Sequence, residues 1–243
     1  MPASFQDRKA KILNELSTPD EQYQDLSPKG SVDEGIRELI SEINALPQYV
    51  TTSSCAGRIA VYLEGAKGAK GGGQWLFTSH DPVDISDLTA AGALYQRFGL
   101  MQVGGAASPH DAADARFVHF KFEPMILHIL TANLPAAQHA ASAALQAGFR
   151  ESGINGILDH AKDRQPPTPM VAVRSSGLAF DCIIGYQPSG DPEQCGGDVQ
   201  PMVSEDYLRT VMGIANQRFK VNAERTERFM QALLRNANAT PRG

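Results

Sequence analysis

Cysteine is scarce in this chain, which holds only Cys55, Cys182 and Cys195 among its 243 residues. Three scattered cysteines cannot form a disulfide framework, and no two of them have the Cys-x-x-Cys spacing of a metal site or redox motif. The cysteine content therefore predicts a reducing compartment, the cytoplasm or the nucleus, with the cytoplasm as the assignment. No set of His, Cys, Asp and Glu residues has metal-ligand spacing either, so we expect no structural metal.

Long apolar runs and an excess of basic residues are also missing. No apolar run is long enough for a membrane-spanning helix, and the N-terminus MPASFQDRKAKILNEL carries acids, which argues against a signal or transit peptide. The formal net charge is −5, with nine acids and five bases in residues 1–50 and near balance in the rest of the chain. This charge lowers the expectation of nucleic-acid binding, although a local basic patch would suffice for RNA.

What the chain does contain, 42% hydrophobic and 20% charged residues, is typical of a globular protein with a substantial core. Apolar spacing and capping residues such as Ser31 and Ser204 predict helices over 5–16, 31–46, 86–99, 136–147 and 204–235. Alternating or apolar runs predict strands over 49–52, 59–63, 75–78, 117–130, 170–173 and 178–185, the last two as a hairpin. This order has no regular βαβ repeat, so we predict one α+β domain over 1–243, with a core of about 27–235 and a mixed β-sheet flanked by helices.

Three connections, over 65–73, 104–115 and 186–202, are predicted to be flexible. The first contains GAKGAKGGG, and glycine-rich loops can cradle phosphates. Here the run joins two predicted strands, no helix begins at its end, and it lacks the Gly-Lys-Ser/Thr ending of a P-loop. A hairpin linker is therefore the favoured interpretation.

The stretch TTSSCAGR, residues 51–58, concentrates hydroxyls, a thiol, a glycine and an arginine in a predicted turn between two strands. A thiol near Arg58 is a candidate nucleophile, but no histidine lies nearby in the sequence to act as its base. The spacing from Cys55 to Arg58 is also too short for a loop that wraps a phosphate. We therefore interpret Ser53, Ser54 and Arg58 as ligand-holding donors, and Cys55 as a lining residue.

Other candidate residues leave alternatives open on sequence alone. His80 ends a predicted strand and is either a ligand-binding residue or a turn residue that bonds to backbone. Glu123 precedes Pro124, where a carboxylate either pairs with an arginine or serves as a site acid. His128 lies on an apolar face, which favours a satisfied core histidine. Arg150 and Arg174 occupy turns and are, taken singly, surface residues.

Several stretches, in order along the chain, resemble one known family. They are SPKGSVDE (27–34), TTSSCAGRI (51–59), WLFTSH (75–80), FKFEPMILHI (120–129), GFRESGI (148–154), AVRSSGL (172–178), IANQ (214–217) and RTERF (225–229). Together they are similar to the wybutosine-synthesis methyltransferases, the tRNA wybutosine-synthesizing protein 3 family. The segments that depart from the family pattern lie in the three predicted flexible connections.

The resemblance implies a methyltransferase that uses S-adenosylmethionine and lacks the Rossmann methyltransferase fold. It implies N-methylation of a 4-demethylwyosine-type tricyclic base with an aminocarboxypropyl arm, beside the anticodon of phenylalanine tRNA. Two rivals stay open, a small-molecule-modifying enzyme on the same scaffold and a non-catalytic RNA-binding module.

The resemblance also supplies the candidate site residues. His80 and Glu123 are the catalytic candidates, and either could orient the ring or take the displaced proton. The binding candidates are Ser53, Ser54, Cys55, Gly57, Arg58, His128, Arg150, Ser152, Gly153 and Arg174. Arg218, Lys220 and Arg225, in the basic second half of the last predicted helix, are the candidate tRNA contacts.

Overall fold

The computed structural model describes residues 4–18, 31–65, 72–101, 115–157, 168–188 and 198–237. Parts of all three predicted flexible connections, 66–71, 104–114 and 189–197, lie outside the described residues, as do residues 27–30 of the first family stretch. The helices are α1 Phe5–Leu16, α2 Arg37–Ala45, α3 Ala93–Arg97, α4 Leu134–Ala147 and α5 Glu205–Ala237. The strands are β1 Tyr49–Leu63, β2 Gln74–Ser79, β3 Ala115–Thr131, β4 Gly153–Asn155, β5 Met170–Val173, β6 Phe180–Pro188 and β7 Gln200–Pro201.

The strands hydrogen-bond in the order β2-β1-β3-β5-β4, with β6 also paired to β3 and β7 paired to β6. Antiparallel registers join β1 to β2, β3 to both β5 and β6, β4 to β5, and β6 to β7. Antiparallel neighbours and interspersed helices confirm the predicted α+β class and differ from the parallel crossovers of a Rossmann fold. Among the described helices, none is long and apolar enough to cross a membrane.

The predicted turn TTSSCAGR is wrong, because these residues lie inside the fifteen-residue strand β1. β-Branched residues flank them on both sides and favour an extended backbone. Gly57 has a φ of 104°, which a side chain would strain, and the strand continues through it. The two short strands predicted at 49–52 and 59–63 are therefore one continuous element.

The predicted hairpin of 170–173 with 178–185 is also wrong, because both strands pair with β3 instead. β3 spans seventeen residues and can accept two antiparallel partners in succession. β5 pairs with the segment from Leu127 to Leu130, and β6 pairs with the segment from Ala115 to Phe122. β5 and β6 therefore pair with successive segments of β3. They do not form the hairpin that the sequence predicts.

Two predicted helices are shorter in the structure. The helix predicted over 86–99 is only α3, because Gly92 adopts a left-handed conformation and the Glu205 carboxylate accepts hydrogen bonds from the Gly92 and Leu94 amides. The helix predicted from Ser31 begins as a 3-10 turn at Glu34, and Asp33 occupies its N-cap position. Helices α1, α4 and α5 agree with the prediction, and the Ser204 hydroxyl accepts from the Tyr207 amide at the start of α5.

The chain divides into two compact units. Unit 1 comprises Met1–Gly57, Pro124–Gly177 and Val221–Gly243, and unit 2 comprises Arg58–Glu123 and Leu178–Lys220. The boundaries cross β1, β3 and α5, so each of these elements contributes one part to each unit. The single domain expected over 1–243 stays a prediction.

The core of unit 1 lies between helices and one face of its strands. Its fully buried members include Leu127, Ile129, Phe149 and Phe229, and the alanine-rich face of α4 packs closely among them. Small alanines allow a helix to approach the sheet closely, which explains the composition of α4. The opposite face of the same strands carries the candidate site.

In unit 2 the core is a chain of aromatic contacts. Phe98 lies edge to face with Phe77 and Phe120, at centroid separations of 5.5 and 5.8 Å. Phe180 is stacked on Phe120 and on Phe122 of β3. Edge-to-face and offset stacks add to the stabilisation from area burial alone.

Helix α1 is anchored in unit 1 by Lys9, a buried amine only 8% exposed. Its Nζ donates to the Leu46 carbonyl at 2.5 Å and to the Tyr49 carbonyl at 2.8 Å, at the end of α2 and the start of β1. Burial lowers the pKa of Lys9. One bond reaches the C-cap residue of α2 and the other the first residue of β1, so Lys9 ties α1 to both elements.

We expect Lys9→Met to destabilise the protein by about 2 kcal/mol, since the long apolar stem is kept while two carbonyls lose a charged donor. Thermal or urea unfolding would measure the change. Lys11→Met is the matched control, because the Lys11 side chain is 79% exposed and its pair with Glu15 lies on the surface. Equal stabilities for the two variants would contradict the anchoring role.

Candidate functional site

A row of candidate residues crosses the solvent-facing side of the sheet in unit 1. His128 on β3 lies opposite Ala172 on β5, and Ala172 lies opposite Gly153 on β4. Side chains alternate along a strand, so the burial of Leu127 and Ile129 places His128 on the outer face. The sequence prediction of a satisfied core histidine is therefore wrong, because His128 belongs to the open face and is half-buried there.

Ser53 on β1 joins this row through the His128 ring. The Ser53 Oγ lies 2.8 Å from His128 Nδ1, and the Thr52 Oγ1 donates to the His128 carbonyl at 3.3 Å. Ser53 and Thr52 are both exposed. A hydroxyl at Nδ1 fixes the orientation of the imidazole, and no hydrogen bond to Nε2 is found among the described residues.

The far end of the row is a polar turn formed around Ser152 and Arg174. The Ser152 Oγ accepts from the Arg174 amide at 3.2 Å, and the Arg174 Nε donates to the Glu151 carbonyl at 3.1 Å. The Ser176 amide donates to the Glu151 carboxylate at 2.8 Å, and this bond lowers the pKa of Glu151. Arg174 and the nearby Arg150 are exposed, so both offer charge to solvent.

Arg58 and Glu123 form an ion pair in unit 2. The Arg58 Nε lies 2.6 Å from Glu123 Oε2, with the two side chains 22% and 41% exposed. The Arg58 guanidinium also lies over the Trp75 ring, 4.7 Å from its centroid. Of the two sequence alternatives for Glu123, an arginine partner is the one the structure shows.

The remaining motif residues are spread over both units. His80 follows β2 directly and is half-buried in unit 2. Ser54 and Cys55 are half-buried in β1, and Gly57 has a positive φ in the same strand. The catalytic candidate His80 therefore belongs to a different unit from Ser53 and His128.

The basic residues of α5 differ in what they contact. In unit 1, the Arg225 guanidinium donates to the Gly148 carbonyl at 3.1 Å and to the Ser175 hydroxyl at 3.0 Å, at the end of α4. A cation at a helix C-terminus offsets the negative end of the helix dipole, so Arg225 stabilises the end of α4. In unit 2, Lys220 is exposed and Arg218 is half-buried.

Two residues near TTSSCAGR were missed by the sequence reasoning. The Ala56 amide donates to the Asp33 carboxylate at 2.8 Å, and the Asn222 Nδ2 donates to the Ala56 carbonyl at 2.8 Å. The Asn222 Oδ1 also accepts from the Met125 amide at 2.8 Å. Helical spacing from Phe219 and Phe229 places Asn222 on the apolar side of α5, but this spacing does not indicate which backbone groups Asn222 binds.

Comparison with known proteins gives consistent matches over almost the whole chain. The profile of the family described as methyltransferase TYW3 matches residues 7–235. The chain is 34% identical over 238 residues to tRNA wybutosine-synthesizing protein 3 of Schizosaccharomyces pombe, covering 96% of this chain and 87% of that protein. It is 32% identical over 241 residues to the protein of the same name from Saccharomyces cerevisiae, covering 95% and 79%. Among solved structures, the PH1069 protein from Pyrococcus horikoshii matches with a TM-score of 0.65 and 25% identity, over 95% of this chain and 96% of that one.

Proposed function

The chain belongs to the methyltransferase TYW3 family, and from this membership we propose that it methylates a ring nitrogen of the partly built wybutosine base in phenylalanine tRNA. The methyl donor in this proposal is S-adenosylmethionine, the acceptor is a 4-demethylwyosine-type base with an aminocarboxypropyl arm, and the compartment is the cytoplasm. The names of the relatives support wybutosine synthesis. The base, the donor and the tRNA identity are parts of the proposal.

The observation that carries the proposal is the polar row of unit 1. Ser53 and His128 are hydrogen-bonded at 2.8 Å on the outer face of the sheet, and the strand register continues from His128 to Gly153, near Arg174. All four residues belong to stretches that also carry the family resemblance. Packing within the core does not require them, since the inner face of these strands supplies the apolar contacts.

The donors of this row fit the polar ends of S-adenosylmethionine. A guanidinium such as that of Arg174 suits a carboxylate, because its N–H groups match the spacing of two carboxylate oxygens. The Ser152 and Ser53 hydroxyls can bond to amino or ribose groups. When bound, the donor supplies an electrophilic methyl group on a sulfonium.

His128 is the residue that we assign to the proton released from the ring nitrogen. A ring nitrogen that gains a methyl group must lose a proton, and an imidazole with Nδ1 held by Ser53 can accept that proton at Nε2. The hydrogen bond to Ser53 makes Ser53 a positioning residue. We expect most of the remaining rate enhancement to come from alignment of the methyl donor with the ring nitrogen, because methyl transfer is an in-line displacement.

We expect Arg174→Ala to weaken binding of S-adenosylmethionine about tenfold or more, since a charge-assisted hydrogen bond to a carboxylate is lost. Isothermal titration calorimetry would measure the dissociation constant. Arg8→Ala, at an exposed arginine of α1, is the matched control. Unchanged affinity in the Arg174 variant, with normal stability, would remove Arg174 from the donor site.

The whole proposal is tested by calorimetry with S-adenosylmethionine, followed by incubation with undermethylated tRNA and mass spectrometry of the nucleosides. A gain of one methyl group on the tricyclic base is the expected result. Absence of both donor binding and methylation would overturn the methyltransferase function. Donor binding with methylation of a different acceptor would overturn the proposed base.

A further inference from the structure

Trp75 is the single tryptophan of the chain, and 41% of it is exposed. It lies on β2, which is at one end of the strand order β2-β1-β3-β5-β4. An aromatic side chain that is partly exposed on the outermost strand of this order offers ring surface that a planar ligand can contact. None of the roles proposed above uses this residue.

The indole of Trp75 is held in place by two neighbours in unit 2. The Arg58 guanidinium lies over the ring at 4.7 Å from its centroid, and the Tyr62 ring is tilted by 55° at a centroid separation of 4.9 Å. Glu123 in turn holds Arg58 at 2.6 Å. Stacking on an aromatic face and pairing with a carboxylate together restrict both the guanidinium and the indole.

The charges around Trp75 favour a ring over an anion as its ligand. Arg58 is neutralised by Glu123, so this group presents a π surface with little net charge. A phosphate would have to compete with the Glu123 carboxylate for the guanidinium, whereas a planar base needs only an aromatic face. The net charge of −5 also leaves the chain little bulk electrostatic attraction for RNA, so short-range stacking gains in importance.

We propose that Trp75, backed by Arg58, is a stacking platform for an unpaired nucleobase of the RNA substrate. This inference deepens the proposed function and rests on it. An adenine ring has the same stacking chemistry, so S-adenosylmethionine is the second source of such a ring. The experiments separate the two sources.

Intrinsic fluorescence reports directly on this platform, because Trp75 is the only indole in the chain. We expect quenching or a spectral shift when a synthetic anticodon stem-loop RNA with unpaired loop bases is added to the wild-type protein. A fully base-paired RNA of equal length and charge should leave the spectrum nearly unchanged. A response to S-adenosylmethionine but not to the loop RNA would overturn the RNA assignment.

Substitutions test whether the stack contributes to binding. Trp75→Leu should weaken binding of the labelled stem-loop about tenfold or more in fluorescence anisotropy, and Trp75→Phe should retain most of the affinity. Ile183→Ala is the control, because Ile183 lies in the same unit and is 44% exposed. Thermal unfolding of each variant shows whether the fold is kept, and equal affinities for Leu, Phe and wild type would overturn the platform.

Failure of this inference is distinguishable from failure of the proposed function. If the wild-type protein binds S-adenosylmethionine and methylates tRNA, but Trp75→Leu binds and methylates normally, only the platform is wrong. If RNA quenches Trp75 but no methyl group is transferred, the platform stands and the methyltransferase proposal fails. The fluorescence readout therefore does not depend on turnover.

Discussion

Replacing His128 with alanine is expected to lower kcat for methyl transfer by about 10²- to 10⁴-fold, the range typical of a lost general base. The Ser53 hydroxyl at 2.8 Å holds Nδ1, and Nε2 is the atom that we assign to the leaving proton. The half-buried ring adds little to the core, so the variant should keep its fold. Single-turnover methylation of undermethylated tRNA, followed by mass spectrometry, measures the rate.

The controls for His128 separate proton transfer from positioning. Ser53→Ala keeps the imidazole and removes only its orienting partner, so about a tenfold loss of kcat is expected. A His128→Ala variant that keeps the wild-type rate would remove His128 from the chemistry and return the question to His80 and Glu123.

The elements that were predicted correctly are those in which local sequence and final packing agree. Helix α4 follows an alanine-rich amphipathic run from an Asn133 cap to Gly148, whose φ of 102° ends the helix. β3 keeps the alternation of its sequence before Pro124, whereas after Pro124 only one face is buried throughout and Ile126 on the other face is 39% exposed. In both elements, the residues that determine the secondary structure lie close together in the sequence.

The turn predicted within β1 is wrong because residues that are distant in the sequence stabilise the strand. Serines, a cysteine and a glycine in succession have weak strand propensity, so local rules predict a turn. The structure supplies partners that are distant in sequence, Asp33 for the Ala56 amide and Asn222 for its carbonyl. Tertiary contacts of this kind override propensity and are not visible in any short window.

The sequence supplies candidate site residues, but it does not supply the pairings that the structure shows between them. The family resemblance identified Ser53, His128, Arg58 and Glu123, but local spacing could not show which of them bond to one another. Arg58 and Glu123 are 65 positions apart, and Ser53 and His128 are 75 apart. The partner of Arg58 changes its interpretation, because a guanidinium that holds a carboxylate and covers an indole is less available to an anionic ligand.

Asn222 is the clearest case of a residue whose importance only the fold reveals. Its side-chain amide accepts from the Met125 amide and donates to the Ala56 carbonyl, both at 2.8 Å, and Asn222 is 4% exposed. The amide thus acts like one more peptide group between β1 and β3. It does so next to Gly57, whose φ is 104°, and next to Pro124, which has no backbone N–H to donate.

Asn222→Leu is therefore expected to destabilise the protein by about 3 kcal/mol or more, because it leaves a buried donor and a buried acceptor without partners. Asn216 provides the matched control, since its side chain makes the same two kinds of bond, with the Val83 amide and carbonyl, both at 2.9 Å. Asn216 is only half-buried, so water can replace its bonds and Asn216→Leu should cost about 1 kcal/mol. Urea unfolding measures both changes. Equal losses would show that burial does not decide the cost, and an Asn222→Leu protein as stable as the wild type would refute the bridging role.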